Sequence, residues 1–292
     1  MGRLIKGFVV GACICILVGV VFFVGAACMG GIGNAKSIFE NGGITIGIHS
    51  NDSADWDKAS EHTISLENMD EPSLDLKLGA GDFEIIESNV SDIVVKATKK
   101  INVKKDGNTI KIYTPKHLQV KIFSLGMDDV NNVIIEIPKG MKFDDVDMQI
   151  GAGELRCENI TADKLKMELG AGMITTENYT SDKAVMSVGA GEIIVKKGAS
   201  KDMDIDVGMG NFTFHGTANG DLDVDCGMGN VQMWLTGDEE DYNYEVDCGM
   251  GNVTVGKKSY AGVAADKDFD NNAEYKCDLD CGMGNIEIHF EN

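Results

Sequence analysis

Basic charge is what this sequence has least of: 26 Lys and Arg stand against 47 Asp and Glu in 292 residues, a formal net charge of −21. Nucleic acid needs clustered Lys and Arg opposite its phosphates, so that class of partner is excluded. The same balance disfavours docking of a folded body on an anionic bilayer surface. Catalytic signatures are missing too. The five His (His49, His62, His117, His215, His289) are scattered, and there is no H-E-x-x-H, no P-loop and no nucleophile elbow. The acids recur evenly instead of gathering into one pair, so the chain is expected not to be an enzyme. No C-x-x-C pair exists, which removes support for a zinc knuckle or a thioredoxin-like site. Five Cys (Cys157, Cys226, Cys248, Cys277, Cys281) follow the N-terminal segment, an odd number that full intramolecular pairing cannot use up.

Charge is absent altogether from Gly7 to Ala35. The apolar heart of that stretch, Phe8 to Cys28, is long enough to span a hydrocarbon core as a helix, which takes roughly 20 residues. Arg3 and Lys6 before it predict a single-pass anchor in the cell membrane, with a cytoplasmic N-terminus and an extracellular body. Gly25-Ala26-Ala27 also offers small residues to a signal peptidase, and Gly25-Ala26-Ala27-Cys28 resembles a lipoprotein processing site. The organisation read from composition is an anchor over 1–29, a Gly-rich and polar stalk over 30–72, a first repeat with a β-hairpin cap over 73–149, and repeats over 150–292.

What organises the chain is a repeated Gly-x-Gly. Eight segments share it: LGAGDFEI from Leu78, IGAGELRC from Ile150, LGAGMITT from Leu169, VGAGEIIV from Val188, VGMGNFTF from Val207, CGMGNVQM from Cys226, CGMGNVTV from Cys248 and CGMGNIEI from Cys281. From Gly151 to Gly227 the leading glycines recur every 19 residues. Within a unit, Met203, Ile205 and Val207 alternate with Asp204 and Asp206, the signature of a half-buried strand. Past Gly210 the parity changes and Phe212 and Phe214 become the apolar positions, so the glycines mark a corner. The fold class expected is all-β: a β-solenoid of single coils, parallel β-helix-like, about 19 residues each, behind an N-terminal transmembrane helix.

Stacked coils put equivalent residues into columns about 4.8 Å apart. One inward column should run through Leu78, Ile150, Leu169, Val188, Val207, Cys226, Cys248 and Cys281. The next should hold Ala80, Ala152, Ala171 and Ala190, then Met209, Met228, Met250 and Met283, widening the coil towards the C-terminus. Asn211, Asn230, Asn252 and Asn285 should form a hydrogen-bonded ladder. Outside, Asp206, Asp225, Asp247 and Asp280 make one acidic column, and Asp204, Asp223, Glu245 and Asp278 another. Asp221-x-Asp223-x-Asp225 lacks the Gly and Glu of a calcium loop. No cofactor is therefore expected, except that the two columns could hold Ca2+ between coils or take a cationic peptide.

The G-[AM]-G-[DEN] repeats, Pro138-Lys139-Gly140 before the second repeat and the N-terminal apolar segment together resemble a family of β-strand-repeat, membrane-anchored proteins of Gram-positive bacteria labelled "putative adhesin". Surface proteins of Lia-type envelope-stress systems are among its relatives. The resemblance covers about Leu74 to Asn292. It implies a β-solenoid outside the membrane, serving adhesion or the sensing of membrane-active peptides and other envelope components, with no catalytic residues.

Overall fold

The structure is a computed structural model that describes residues 56–115, 131–261 and 265–291. The expected anchor lies outside the described residues, as does the expected stalk up to residue 55. Among the described residues no helix is long and apolar enough to cross a membrane.

The body is all-β. A 3-10 turn, Trp56–Lys58, leads into β1 (Ser60–Ile64), β2 (Ser73–Ser88), β3 (Ile93–Ala97), β4 (Asn102–Asp106) and β5 (Thr109–Tyr113). There follow β6 (Asn131–Pro138), the long β7 (Lys142–Val207), β8 (Asn211–Ala218), β9 (Leu222–Cys226) and β10 (Asn230–Thr236). A second 3-10 turn precedes β11 (Tyr242–Cys248) and β12 (Asn252–Val255). The chain closes with β13 (Lys258–Ala261), β14 (Ala265–Phe269), β15 (Tyr275–Cys281) and β16 (Asn285–Glu291). These strands form one open sheet whose main path begins at β1 and ends at β13 without closing on itself. Two features differ from the organisation read from composition. Ser60–Ile64, inside the expected stalk, is a strand paired antiparallel with β3. The expected division at residues 149/150 falls inside β7, which runs straight through it.

Successive Gly-x-Gly units lie in register as parallel layers. Leu76 stands opposite Met148 and Phe83 opposite Leu155. The 19-residue step is visible across β7 in side-chain pairs: Lys196 to Glu177 at 2.6 Å, Lys201 to Asp182 at 2.7 Å, and the hydroxyls of Ser181 and Ser200 at 3.1 Å. Each unit buries its alternate residues on both sides of the Gly corner. Leu222, Val224 and Cys226 before it, and Val231, Met233 and Leu235 after it, belong to one hydrophobic core. Full burial stabilises by about 1.5–3 kcal/mol for each large aliphatic side chain.

The corner needs glycine chiefly because neighbouring layers touch there backbone to backbone. A Cβ on Gly229 would come within 2.4 Å of the Gly210 carbonyl oxygen, and one on Gly172 within 2.0 Å of that of Gly153. Gly172 in addition has φ +107°, a region closed to other residues. At the first unit the Thr114 hydroxyl accepts the Gly79 N–H at 2.8 Å.

Layer order and chain order part company at both ends. β5 and β6 follow β2 in sequence yet pair with it on the side away from β7, forming the last parallel layer at the N-terminal end. At the other end the last unit, β15 and β16, sits between β9/β10 and β11/β12. The column order is therefore Cys226, Cys281, Cys248, not the chain order assumed from the repeats. The connector explains the insertion. Residues 258–261 and 265–269 turn back as β13 and β14, antiparallel to β12 and β11. That edge is then covered, and the final unit can add only on the opposite edge. At the N-terminal end β3 and β4 cover β6 and β5 in the same way.

One expected column is overturned. Met228, Met283 and Met250 do not point into the core; they are 45 %, 54 % and 69 % exposed. The buried series passes from Cys226 to Val231, so the turn begins at Gly227 and the Met already faces outward. The coil is not widened by them.

Candidate functional site: the outer face of the C-terminal layers

On the outer face, the layers from β7 to β11 present the same sequence of side chains. The register sets Asp206 opposite Asp225, Asp225 opposite Asp280, and Asp280 opposite Asp247. Beside them run Asp204, Asp223, Asp278 and Glu245 in the same layer order. The structure thus brings all eight expected acids together in two columns, with the last two layers exchanged. It also extends the second column, since β14 places the exposed Asp268 opposite Glu245. No Gly repeat announces that residue.

The N-terminal layers carry mixed charge at the equivalent face, around a shallow depression of about 570 Å³ whose lining includes Asp75, Asp147, Lys164, Lys166 and Lys183. The C-terminal columns are acidic in every layer. Burial against the adjacent layers, then the charges of Asp223, Asp280, Asp206 and Asp204, push the Asp225 carboxyl up to about 7. Asp206, Asp223 and Asp280 are raised from the same first cause, burial, with neighbouring acids adding to it. Among the described residues, no group of three or more His, Cys, Asp or Glu is arranged to hold a metal ion.

Beyond the corner three of the four expected Asn form a ladder, with Asn252 donating to Asn285 at 3.0 Å and Asn285 to Asn230 at 2.9 Å, while Asn211 is exposed and does not join it. Further along, His215, Trp234 and His289 stack as a column, with ring centroids 4.4 and 5.3 Å apart. Sequence reading missed this column, although residues four past each Asn, at 215, 234 and 289, share the position. The rings occupy each other's faces. The thiols of Cys157, Cys226, Cys248, Cys277 and Cys281 are all free and buried. Burial raises the Cys157 thiol to about 12 and that of Cys277 well above its ordinary value, so both remain protonated hydrophobes. Cys281 is raised as well, first by its hydrogen bond with Cys226 and then by burial.

An all-β body of glycine-cornered layers, a filled core and a repeating outer face defines the class. The chain belongs to the Toastrack DUF4097 family, whose match runs over residues 72–289. Similar solved structures include a putative adhesin from Parabacteroides distasonis, 16% identical, covering 79% of this chain and 97% of that one at a TM-score of 0.39. A putative adhesin from Bacteroides fragilis is 12% identical, with coverages of 79% and 97% and a TM-score of 0.38. A putative lipid binding protein from Parabacteroides distasonis is 14% identical, with coverages of 80% and 97% and a TM-score of 0.36. No curated protein is matched.

Proposed function

We propose that this chain is a non-enzymatic surface module, a β-solenoid held at the extracellular face of the cell membrane by an anchor at Phe8–Cys28, with its acidic face serving adhesion or envelope-stress sensing. The observation that carries this reading is the pair of acidic columns, continuous through the C-terminal layers and without the interspersed Lys of the N-terminal ones. Like charges about 4.8 Å apart repel by roughly 1 kcal/mol per pair in water. An extended cationic peptide lying along the columns would relieve that repulsion layer by layer. The "putative adhesin" wording of the similar structures agrees with a surface role for those proteins. A second reading has Ca2+ bridging carboxylates of adjacent layers and stiffening a structural or adhesive stalk; the mutual raising of Asp225 and its neighbours favours it.

Thermal unfolding of the full chain at low salt, with oligolysine or with Ca2+, tests both. The expected outcome is stabilisation by oligolysine that is largely lost when Asp206, Asp225, Asp280 and Asp247 are all replaced by Asn. Stabilisation by Ca2+ alone selects the second reading. If neither ligand stabilises the parent protein, the columns are solubilising charge only and both readings fall.

A further inference from the structure

The methionines turned outward at the corner have no structural task that their position demands. The same position is Ala80, Ala152, Ala171 and Ala190 in the first four units, so the corner forms without a long side chain, and it is the half-buried Met209 in the fifth. In the last three layers it is Met228, Met283 and Met250, three of the few large apolar side chains exposed among the described residues. Backbone hydrogen bonds set them in consecutive layers. Met228 N–H donates to the Gly208 carbonyl at 2.8 Å, Met283 to Gly227 at 2.7 Å and Met250 to Gly282 at 2.7 Å. Met283 is therefore the middle member, although it is the last of the three in the chain. A glycine flanks each Met on both sides, so no neighbouring side chain in its own layer screens the thioether.

We infer that Met228, Met283 and Met250 form a thioether ladder that binds a soft monovalent cation of the Cu(I) or Ag(I) type. Thioether sulfur prefers such ions to hard ones. The spacing of parallel layers, about 4.8 Å, is close to twice a metal–sulfur bond of about 2.3 Å, so sulfurs from adjacent layers can flank one ion. The Asp225, Asp280 and Asp247 column lies three residues away in each layer and supplies a negative potential that concentrates cations at the ladder. Met283 takes part in both adjacent pairs, Met228–Met283 and Met283–Met250. The site differs from the acidic columns in donor atom and in the class of ion it takes.

The test is a titration of the full chain, labelled with 13C at the methionine methyl groups, with Ag(I) in chloride-free buffer. The methyl resonances of Met228, Met283 and Met250, assigned by single Met→Leu variants, are expected to shift with saturation. Thioethers carry no competing proton, so in enough nitrate salt to screen the acidic column, affinity should hold on acidification to about pH 5, where thiolate binding would collapse. M283L should weaken binding by about tenfold or more and by a larger factor than M228L or M250L. Leu conserves volume, so a ladder that served only as an apolar contact would be unaffected by these changes. The inference is overturned if these three methyl groups do not respond to Ag(I). Binding that falls with acidification, or that survives replacement of Met209, Met228, Met250 and Met283 together by Leu, would assign the ion to Cys226, Cys281 and Cys248 and overturn it equally.

Discussion

Gly229 shows how much a single missing Cβ determines here. Its neighbours in the stack are backbone atoms and a core methyl: the Gly210 carbonyl at 2.4 Å and a Val207 side-chain carbon at 2.6 Å from where a Cβ would stand. Neither can retreat without opening the layer spacing. Gly229→Val should therefore destabilise by about 2–4 kcal/mol, read as a lowered denaturation midpoint at unchanged slope. A silent Gly229→Val would remove the backbone-contact explanation of the repeat. At this scale the sequence was legible for the glycines and the core residues Val207 and Cys226, because strand alternation reports burial directly. It misled for Met228. Alternation continued across Cys226-Gly227-Met228 on paper, whereas the chain turns at Gly227, and only the path of the backbone reveals where a corner starts.

At the scale of an element, the strands bearing the acids are stabilised by their inward faces and strained by their outward ones. Asp225, raised to about 7, and its raised neighbours Asp206, Asp223 and Asp280 have folded-state values above the unfolded carboxylate range near 3.9. For an acid shifted upward, the folded state binds more protons than the unfolded one between the two values. Stability must then fall as pH rises through that window. The melting temperature is expected to increase as pH is lowered from about 7 towards 5, opposite to the trend set by salt-bridged carboxylates such as Glu136 with Lys96. Replacing Asp206, Asp225, Asp280 and Asp247 by Asn should flatten the rise and raise stability at neutral pH and low salt. A parent protein that loses stability steadily over that window would show that the columns are not strained. The existence of the columns could be read from spacing; their order and the continuation of one into Asp268 could not, since β14 runs antiparallel and carries no repeat.

Across the whole molecule, the insertion of the last unit beneath the one before it makes the C-terminus an internal part of the stack. Ending the chain after Glu274 would remove the buried Leu279, Ile286 and Ile288, each worth about 1.5 kcal/mol or more, and separate β11 and β12 from their parallel partners. Deleting Val207 to Asp225, an internal unit of the same kind, leaves layers that can restack in register. The truncation is expected to lower the melting temperature more than the deletion, and to open 240–274 to limited proteolysis. Equal effects would mean that β11 re-pairs directly with β9. The sequence by itself determined that the chain would fold into strands of a given length, turned at glycines, with one face apolar and the other acidic. Those properties follow from side-chain alternation and from what a Cβ can tolerate, both of them local. Which unit lies next to which was decided only in three dimensions. Cys226, Cys248 and Cys281 open near-identical Gly-Met-Gly-Asn corners, so local preference cannot rank their pairings. The order is set by the connector, which folds back as β13 and β14 and covers the edge that the last unit would otherwise have used.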